Sequence, residues 1–303
     1  MKIFSGTSNP MLAESIAKIL KKELGNVEIT RFIDNECRVF IDENVQGEDV
    51  IIVQSLSMIA DQHLVELCLL GQAAKDLGAK KVTAVIPWMG YSKQDKAFRK
   101  GEAISAQLVA KFIEAAGFDA VITVELHSEN VIPYFGIPVT ELSSHILLVE
   151  ALTKQSSIHL ENACVVSPDR GGKTRSEVFA KEAHLPMVYL DKARNYETGR
   201  VSITGIEGEV SGKDVVIFDD IINTGATSIE AARYLKEQGA KHIYMLATHA
   251  VLAGSAVIDL AGSVVEDVFV TDYIFVPQSK QFDRMSIISL APILADAIQA
   301  SLR

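Results

Sequence analysis

The sequence predicts an α/β fold of two similar domains, each a doubly wound parallel sheet with helices on both faces. Continuous apolar runs of strand length alternate with amphipathic segments of helix length, which is typical of strands that helices cover on both sides. One such strand-to-helix pattern occurs twice along the chain. The 303 residues, of which 48% are hydrophobic, are enough to build two cores.

The repeat defines the domains. Gly47–Ser55 resembles Gly212–Asp220, and each apolar run leads into a helix. Each helix ends at a glycine, Gly78 or Gly239, and feeds another strand, so two matches in the same order indicate duplication. We therefore expect an N-terminal domain over residues 1–145 and a C-terminal domain over 146–303. This boundary rests on the phase of the repeat, and helices near the chain ends are free to pack on the other domain.

Composition narrows the class of protein. A net charge of -10 without a basic cluster argues against a nucleic-acid surface. No apolar run approaches the roughly 18 residues of a membrane span, and the N-terminus lacks a secretory hydrophobic region, so cytoplasm is the expected compartment. Cys37, Cys68 and Cys164 are widely spaced among apolar neighbours and are expected to be reduced packing residues without a functional role.

The most informative segment joins a buried strand, Val215–Phe218, to a helix expected from Ser228 onward. Between them, backbone N–H groups and the helix N-terminus offer donors to a phosphate. Asp219 and Asp220 carry only acceptors, so sugar hydroxyls or a magnesium ion are their natural partners. A helix cap with a glycine turn is the plainer alternative, but the whole string favours a ribose 5-phosphate cradle. Its remaining members are Asn223, Thr224, Gly225, Ala226 and Thr227.

This string resembles the phosphoribosyl-pyrophosphate motif shared by phosphoribosyltransferases and ribose-phosphate diphosphokinases. The rest of the chain is similar to the diphosphokinases nearly end to end, through the segments 31–36, 90–96, 125–127, 166–169 and 191–194. The resemblance implies two domains of the phosphoribosyltransferase type, with the nucleotide on the first domain and the ribose 5-phosphate cradle on the second. It also implies transfer of the β,γ-diphosphoryl group of ATP to the anomeric hydroxyl of ribose 5-phosphate, in a Mg²⁺-dependent reaction.

The resemblance assigns the metal to His127 and Asp169, each of which follows a predicted strand. The chain departs from the family nearby, since Glu125 stands where many members carry Asp and residues 128–130 lack the glutamine that often follows. The string ending in Gly172-Lys173-Thr174 mimics a P-loop, but its first glycine would fall at Ser167, which excludes that motif. Lys173 and Arg175 are expected to face solvent on a helix.

The other site residues also come from the resemblance. Lys192 and Arg194 match the catalytic loop of the family, although composition alone would predict a solvated hairpin. ATP is expected to contact two segments, with the first reaching into a neighbouring subunit. The contacts are Phe32, Asp34 and Glu36 in the first segment, and Lys93, Gln94 and Asp95 in the second. Lysine at position 93 replaces a frequent arginine, and Asn223 replaces a frequent aspartate.

Two alternatives remain at this point. A phosphoribosyltransferase would need the sugar cradle but has no reason for a duplicated domain. A noncatalytic regulatory relative would keep the fold, yet His127 and Lys192 are both retained. The resemblance implies a homo-oligomer built from dimers, with dimer, tetramer and hexamer all open. ADP as donor and allosteric control by phosphate or nucleoside diphosphates are not decided by the sequence.

Overall fold

A computed structural model describes residues 1–168, 172–194 and 201–302, without the side chains of 192–194, 201 and 202. The chain divides into two compact units. Unit 1 comprises residues 1–143, 273–275 and 289–303, and unit 2 comprises residues 144–272 and 276–288. The expected second domain, 146–303, differs from this division at the C-terminus, where residues 289–303 pack with unit 1. The last helix contacts the first helix and the sheet of unit 1.

Unit 1 contains a five-stranded parallel sheet and a two-stranded antiparallel hairpin. The order in the parallel sheet is β1-β4-β5-β6-β7, and the hairpin joins β2 to β3. The strands are β1 (Lys2–Ser5), β2 (Val27–Arg31), β3 (Cys37–Ile41), β4 (Asp49–Val53), β5 (Lys81–Ile86), β6 (Ala120–Val124) and β7 (Val139–Leu142). Its helices are α1 (Pro10–Ile19), α2 (Ala60–Asp76), α3 (Ser105–Ala115) and, from the C-terminus, α8 (Ala291–Ser301).

Unit 2 is built around a seven-stranded sheet in the order β10-β9-β8-β11-β12-β13-β14. All neighbours run parallel except β9 and β10, which form an antiparallel pair at one edge. The strands are β8 (Ala163–Val166), β9 (Met187–Arg194), β10 (Val201–Glu207), β11 (Asp214–Ile222), β12 (His242–Ala250), β13 (Asp267–Thr271) and β14 (Met285–Ile288). The helices are α4 (His145–Gln155), α5 (Lys173–Glu182), α6 (Ala226–Glu237) and α7 (Ala256–Ala261).

Both sheets are buried on two faces, as the apolar runs predicted. Residues 50–53 of β4 and 215–218 of β11 are almost fully buried. In unit 2 one face of the sheet packs with Leu235 and the other with Phe179. The prediction of an α/β fold with parallel sheets is therefore confirmed. Among the described residues, no helix is long and apolar enough to cross a membrane.

The duplication extends to individual hydrogen bonds. Gly47 donates its N–H to the carbonyl of Gly78 over 2.8 Å, and Gly212 donates to Gly239 over the same distance. Gly47 and Gly212 share φ +71°, a left-handed conformation that favours glycine. The same turn therefore precedes β4 in unit 1 and β11 in unit 2.

Candidate functional site

The turn predicted to bind the sugar phosphate lies at the carboxyl end of β11. The strand runs past Phe218 and includes both aspartates, because its parallel pairing with β12 continues to Ile222. The turn therefore begins four residues later than the sequence predicted. The following helix begins at Ala226 and not at Ser228, so Ala226 and Thr227 belong to its first turn.

Gly225 makes this turn possible. Its φ of +74° lies in the left-handed region, where a side chain would be strained even though the surrounding space would accept one. Asn223, Thr224, Ala226 and Thr227 are exposed around it. The first N–H groups of a helix have no intrahelical acceptor, and the helix dipole makes their end positive. The predicted phosphate-binding residues thus form one exposed, donor-rich surface.

The two aspartates differ in their environment. Asp220 is buried, and its Oδ1 lies 3.1 Å from Nη2 of Arg175. Asp219 is half-buried, and its Oδ1 accepts the N–H of Asp220 over 2.9 Å. One carboxylate of the pair is therefore held by a guanidinium, while the other lies nearer to solvent.

Arg175 was not predicted as part of the site, and the expectation that it faces solvent is wrong. It lies in the first turn of α5, and its Nε is buried without a hydrogen-bond partner among the described residues. Ser176 also ties α5 to β11 by donating to the carbonyl of Phe218 over 3.0 Å. Lys173 is exposed as expected, and its Nζ lies 4.3 Å from the centroid of the Tyr189 ring.

The catalytic and metal predictions fall at the limits of the described chain. Asp169 lies outside the described residues. Lys192 and Arg194 lie on β9, which pairs with β10, but their side chains are outside the described part. The sequence pattern predicted a loop here, whereas the backbone up to Arg194 is a strand paired with β10.

His127 follows β6 in a tightly held turn. Glu125 adopts φ +42°, which is strained for a residue with a side chain, and the N–H of Leu126 donates to Oε1 of Glu141 over 2.6 Å. His127 itself is half-buried. In the part of the chain that the structure describes, no three His, Cys, Asp or Glu side chains cluster as a metal site.

The first predicted nucleotide segment forms the tip of the β2–β3 hairpin. Phe32 is 54% exposed, so it is not a core residue of this chain. Two features fix the tip. The N–H of Phe32 donates to the carbonyl of Glu36 over 3.0 Å, and the backbone of Asn35 adopts a left-handed conformation. Asp34 and Glu36 are exposed beside Phe32. An aromatic ring and two carboxylates are thus presented together to solvent.

The second nucleotide segment lies in the loop between β5 and α3, residues 87–104. Lys93 and Gln94 are exposed, and Nζ of Lys93 lies 5.8 Å from the centroid of Trp88. Asp95 is different, because its side chain is buried and accepts hydrogen bonds from Asn130 and Ser128. These bonds, that of Asn130 first, hold the pKa of Asp95 below its ordinary value.

In the first copy of the repeat, buried side chains stand where the second copy has its predicted sugar-binding aspartates. Gln54 and Ser55, which correspond to Asp219 and Asp220, are fully buried. Nε2 of Gln54 donates to Oε1 of Glu66 over 2.6 Å, and its Oε1 accepts the N–H of Ser8 over 3.0 Å. A Cβ on Gly6 would lie 2.2 Å from the Gln54 amide. Unit 1 therefore has no room for a sugar at this strand end.

The cysteines have the environment expected of packing residues. Burial raises the pKa of Cys68 and of Cys164 to about 11. The pKa of Cys37 is raised by the same cause. A thiol with a raised pKa is a poor nucleophile at neutral pH.

The fold and this turn define a class: an α/β protein with an exposed, donor-rich turn behind two strand-end carboxylates. Comparison with known proteins specifies it further. Residues 1–117 match the N-terminal domain of ribose phosphate pyrophosphokinase, and residues 200–302 match the phosphoribosyl synthetase-associated domain. The ribose-phosphate pyrophosphokinase of Bacillus caldolyticus is 37% identical over 98% of this chain and 93% of its own length.

Further relatives agree. The ribose-phosphate pyrophosphokinase of Bacillus subtilis is 38% identical, again over 98% of this chain and 93% of its own length. The crystal structure of phosphoribosylpyrophosphate synthetase from Mycobacterium smegmatis superposes with a TM-score of 0.91 at 32% identity, covering 99% of this chain and 98% of that one. The chain belongs to the ribose-phosphate pyrophosphokinase family, the ribose-phosphate diphosphokinases of the sequence analysis. The predictions of family and enzyme class are confirmed.

Proposed function

We propose that this protein transfers the β,γ-diphosphoryl group of ATP to the anomeric hydroxyl of ribose 5-phosphate, giving phosphoribosyl diphosphate and AMP. The observation that carries the proposal is the exposed turn at residues 223–227 behind Asp219 and Asp220, in a chain whose whole length matches the family. The N–H groups of the turn would bind the 5-phosphate. The carboxylates would accept hydrogen bonds from the ribose hydroxyls.

On the nucleotide side, Phe32 would stack on the adenine, and Asp34 and Glu36 would contact its polar edge. The exposure of all three supports this role. Lys93 and Gln94 would contact the adenosine and its phosphates. Phe32 would serve the site of a neighbouring subunit, so we propose a homo-oligomer with a dimer as its smallest active form.

Lys192 and Arg194 would neutralise the charge that develops on the transferring phosphoryl group. Both residues lie on β9, which pairs with the antiparallel edge strand β10. They would therefore approach the substrate from this edge of the sheet. A group that stabilises mainly the transition state raises turnover more than it tightens substrate binding.

His127 and Asp169 would hold Mg²⁺, which binds protein through one or two ligands and completes its shell with substrate phosphates and water. When bound, the ion would neutralise the polyphosphate and orient it for attack.

The test is to incubate the purified protein with magnesium, ATP and ribose 5-phosphate and to follow AMP. AMP release that depends on the sugar supports the proposal. Ribose without its phosphate is the matched control for the turn at residues 223–227 and should react far more slowly. Replacing ATP by ADP tests the donor. Release of AMP at the same rate without any sugar would contradict the proposed reaction.

A further inference from the structure

The loop at residues 87–104 is joined to the segment after His127 through Asp95. Oδ2 of Asp95 accepts two hydrogen bonds, from Oγ of Ser128 over 2.7 Å and from Nδ2 of Asn130 over 2.9 Å. A third bond reaches the backbone of the same residue, since the hydroxyl of Tyr134 donates to its carbonyl over 2.7 Å. The residue as a whole is 7% exposed.

The two segments come from neighbouring strands. The loop 87–104 follows β5, the segment 128–134 follows β6, and the two strands pair in parallel. Their carboxyl ends therefore lie side by side at one edge of the sheet. Ser128 comes directly after His127 and precedes the 3₁₀ helix Glu129–Tyr134, whose first turn it caps by accepting the N–H of Asn130 over 3.3 Å. A shift of Ser128 would thus be transmitted to its neighbour His127.

Asp95 faces inward while the two residues before it face solvent. Lys93 and Gln94 are exposed, whereas both hydrogen bonds of the Asp95 side chain go to protein partners. Both side-chain bonds end on Oδ2 and tie Asp95 to the segment 128–134, and the residue exposes little surface to a ligand. Its contribution to the site therefore passes through the segments that it holds together.

We infer that Asp95 is a positioning residue: its carboxylate fixes the loop 87–104 against the segment 128–134, and it acts on the nucleotide only through them. The inference rests on the proposed function for its effect on ATP. The network couples two groups of proposed ligands, the Lys93 and Gln94 pair on one side and His127 on the other.

Other contacts keep the loop folded when the network is disturbed. Oγ of Ser105 donates to Oε1 of Gln94 over 2.7 Å, and Oε2 of Glu102 accepts the N–H of Phe98 over 2.7 Å. Loss of the Asp95 bonds should therefore misplace the loop without unfolding unit 1. Positions of a few ligand groups shift, and the affinity for ATP falls.

The decisive variants exchange donor and acceptor. Asn130→Asp removes the amide donor and places a carboxylate against that of Asp95, whereas Asp95→Asn alone can keep both bonds through its amide oxygen. In the double variant the amide is at position 95 and the carboxylate at position 130, so one hydrogen bond can form again in the reverse direction. Ser128 can also keep a hydrogen bond to the side chain at position 95, because its hydroxyl both donates and accepts.

We expect Asn130→Asp to raise the KM for ATP about tenfold, the scale of one lost buried hydrogen bond, and to leave the KM for ribose 5-phosphate within about twofold. The double variant should regain most of this loss. The matched control is Gln72→Glu, which disturbs an exposed amide–carboxylate bond of 2.8 Å to Asp76 on α2 and should change neither constant. Should Asn130→Asp fail to fold, Ser128→Ala and Asn130→Ala, each removing one bond, take its place.

The single tryptophan of the chain provides a readout that does not depend on turnover. Trp88 lies in the loop 87–104, and Lys93 lies over its ring. Acrylamide should quench its fluorescence more strongly in Asn130→Asp than in the wild type, and the double variant should return toward the wild-type value. A merely stabilising residue would change the melting temperature without changing this quenching.

The outcomes separate the inference from the proposed function. Rescue by the double variant, with the effect confined to ATP, supports the positioning role. The inference is overturned when the two substitutions add without rescue, when both KM values rise together, or when Trp88 quenching is unchanged. A wild-type protein that releases no AMP overturns the proposed function, and the Trp88 comparison then still decides whether Asp95 fixes the loop.

Discussion

Arg175 holds Asp220 at 3.1 Å and thereby joins the first turn of α5 to the strand that precedes the turn at residues 223–227. The pair is mostly shielded, with side-chain exposures of 29% for Arg175 and 9% for Asp220. It has two consequences. The guanidinium orients one of the two proposed ribose ligands, and neither partner can be removed without leaving the other short of a hydrogen bond.

Asp220→Ala should raise the KM for ribose 5-phosphate or abolish turnover, and it should also lower stability. Loss of a hydrogen bond between charged groups at a shielded site costs about 1.5–3 kcal/mol. Steady-state kinetics and urea unfolding measure the two effects. Glu150→Ala is the control, because it breaks an exposed pair with Lys154 at 2.9 Å and should cost below about 1 kcal/mol. Ordinary sugar affinity in Asp220→Ala would disprove the cradle.

Arg175→Lys should impair sugar binding less than Arg175→Ala but should not restore the wild type. A lysine retains the charge and lacks the planar set of donors that fixes a carboxylate. The KM for ribose 5-phosphate should rise in the order wild type, Arg175→Lys, Arg175→Ala, with the KM for ATP changing less. Equal values in all three proteins would mean that Arg175 has no part in orienting Asp220.

Lys192→Ala should lower kcat by orders of magnitude while barely weakening the binding of magnesium–ATP in the absence of sugar. A contact made mainly in the transition state has this signature. Calorimetry and single-turnover kinetics separate the two quantities. Lys154→Ala, which removes an exposed lysine on α4, is the matched control. Equal losses in binding and turnover would instead indicate a ground-state phosphate contact.

Mixing Phe32→Ala protein with Lys192→Ala protein should restore part of the activity. A hybrid oligomer can combine the intact ring of one chain with the intact lysine of the other, and the 54% exposure of Phe32 leaves the ring available to a second chain. The control mixes Lys192→Ala with the Phe32→Ala/Lys192→Ala double variant, which cannot complement. Proven subunit exchange without a gain in activity would exclude the shared site.

The Asp95 network should contribute stability that is lost in acid. The folded pKa of Asp95 is lowered by its hydrogen bonds, so this contribution is complete above the unfolded value of about 3.9 and is lost as pH falls through the folded pKa. In Asp95→Asn, the stability between pH 5 and pH 3, roughly the titration range of a carboxyl, should therefore fall less steeply than in the wild type. Urea unfolding at several pH values measures this. Parallel curves would contradict it.

The elements that the sequence predicted well are those set by local pattern. The apolar run 215–218 defines a buried strand wherever it occurs, and the phase of the repeat identifies its counterpart at 50–53. The exposed turn at Gly225 follows from the glycine and its small neighbours. These features depend on residues that are close in sequence. Their observed positions agree with the predicted ones, apart from shifts of a few residues at their ends.

The features that the sequence missed depend on residues that are distant in sequence. Nothing near Arg175 indicates that its partner lies 45 residues further along, at Asp220. The inward orientation of Asp95 depends on Ser128 and Asn130, which follow a different strand. The C-terminal helix α8 has the amphipathic pattern of any surface helix, and this pattern does not specify which of two similar units it covers.

The filled strand end of unit 1 makes the division between the two copies hard to reverse. Restoring a carboxylate at position 54 would place it against Glu66, where the wild-type amide is only 2.6 Å from the acid. It would also remove the amide donor of Gln54 from a fully buried site. The hydrogen bond that the N–H of Ser8 donates to the Gln54 carbonyl would be disturbed as well. A carboxylate at this strand end of unit 1 would therefore require a compensating change at Glu66 as well as the substitution at position 54.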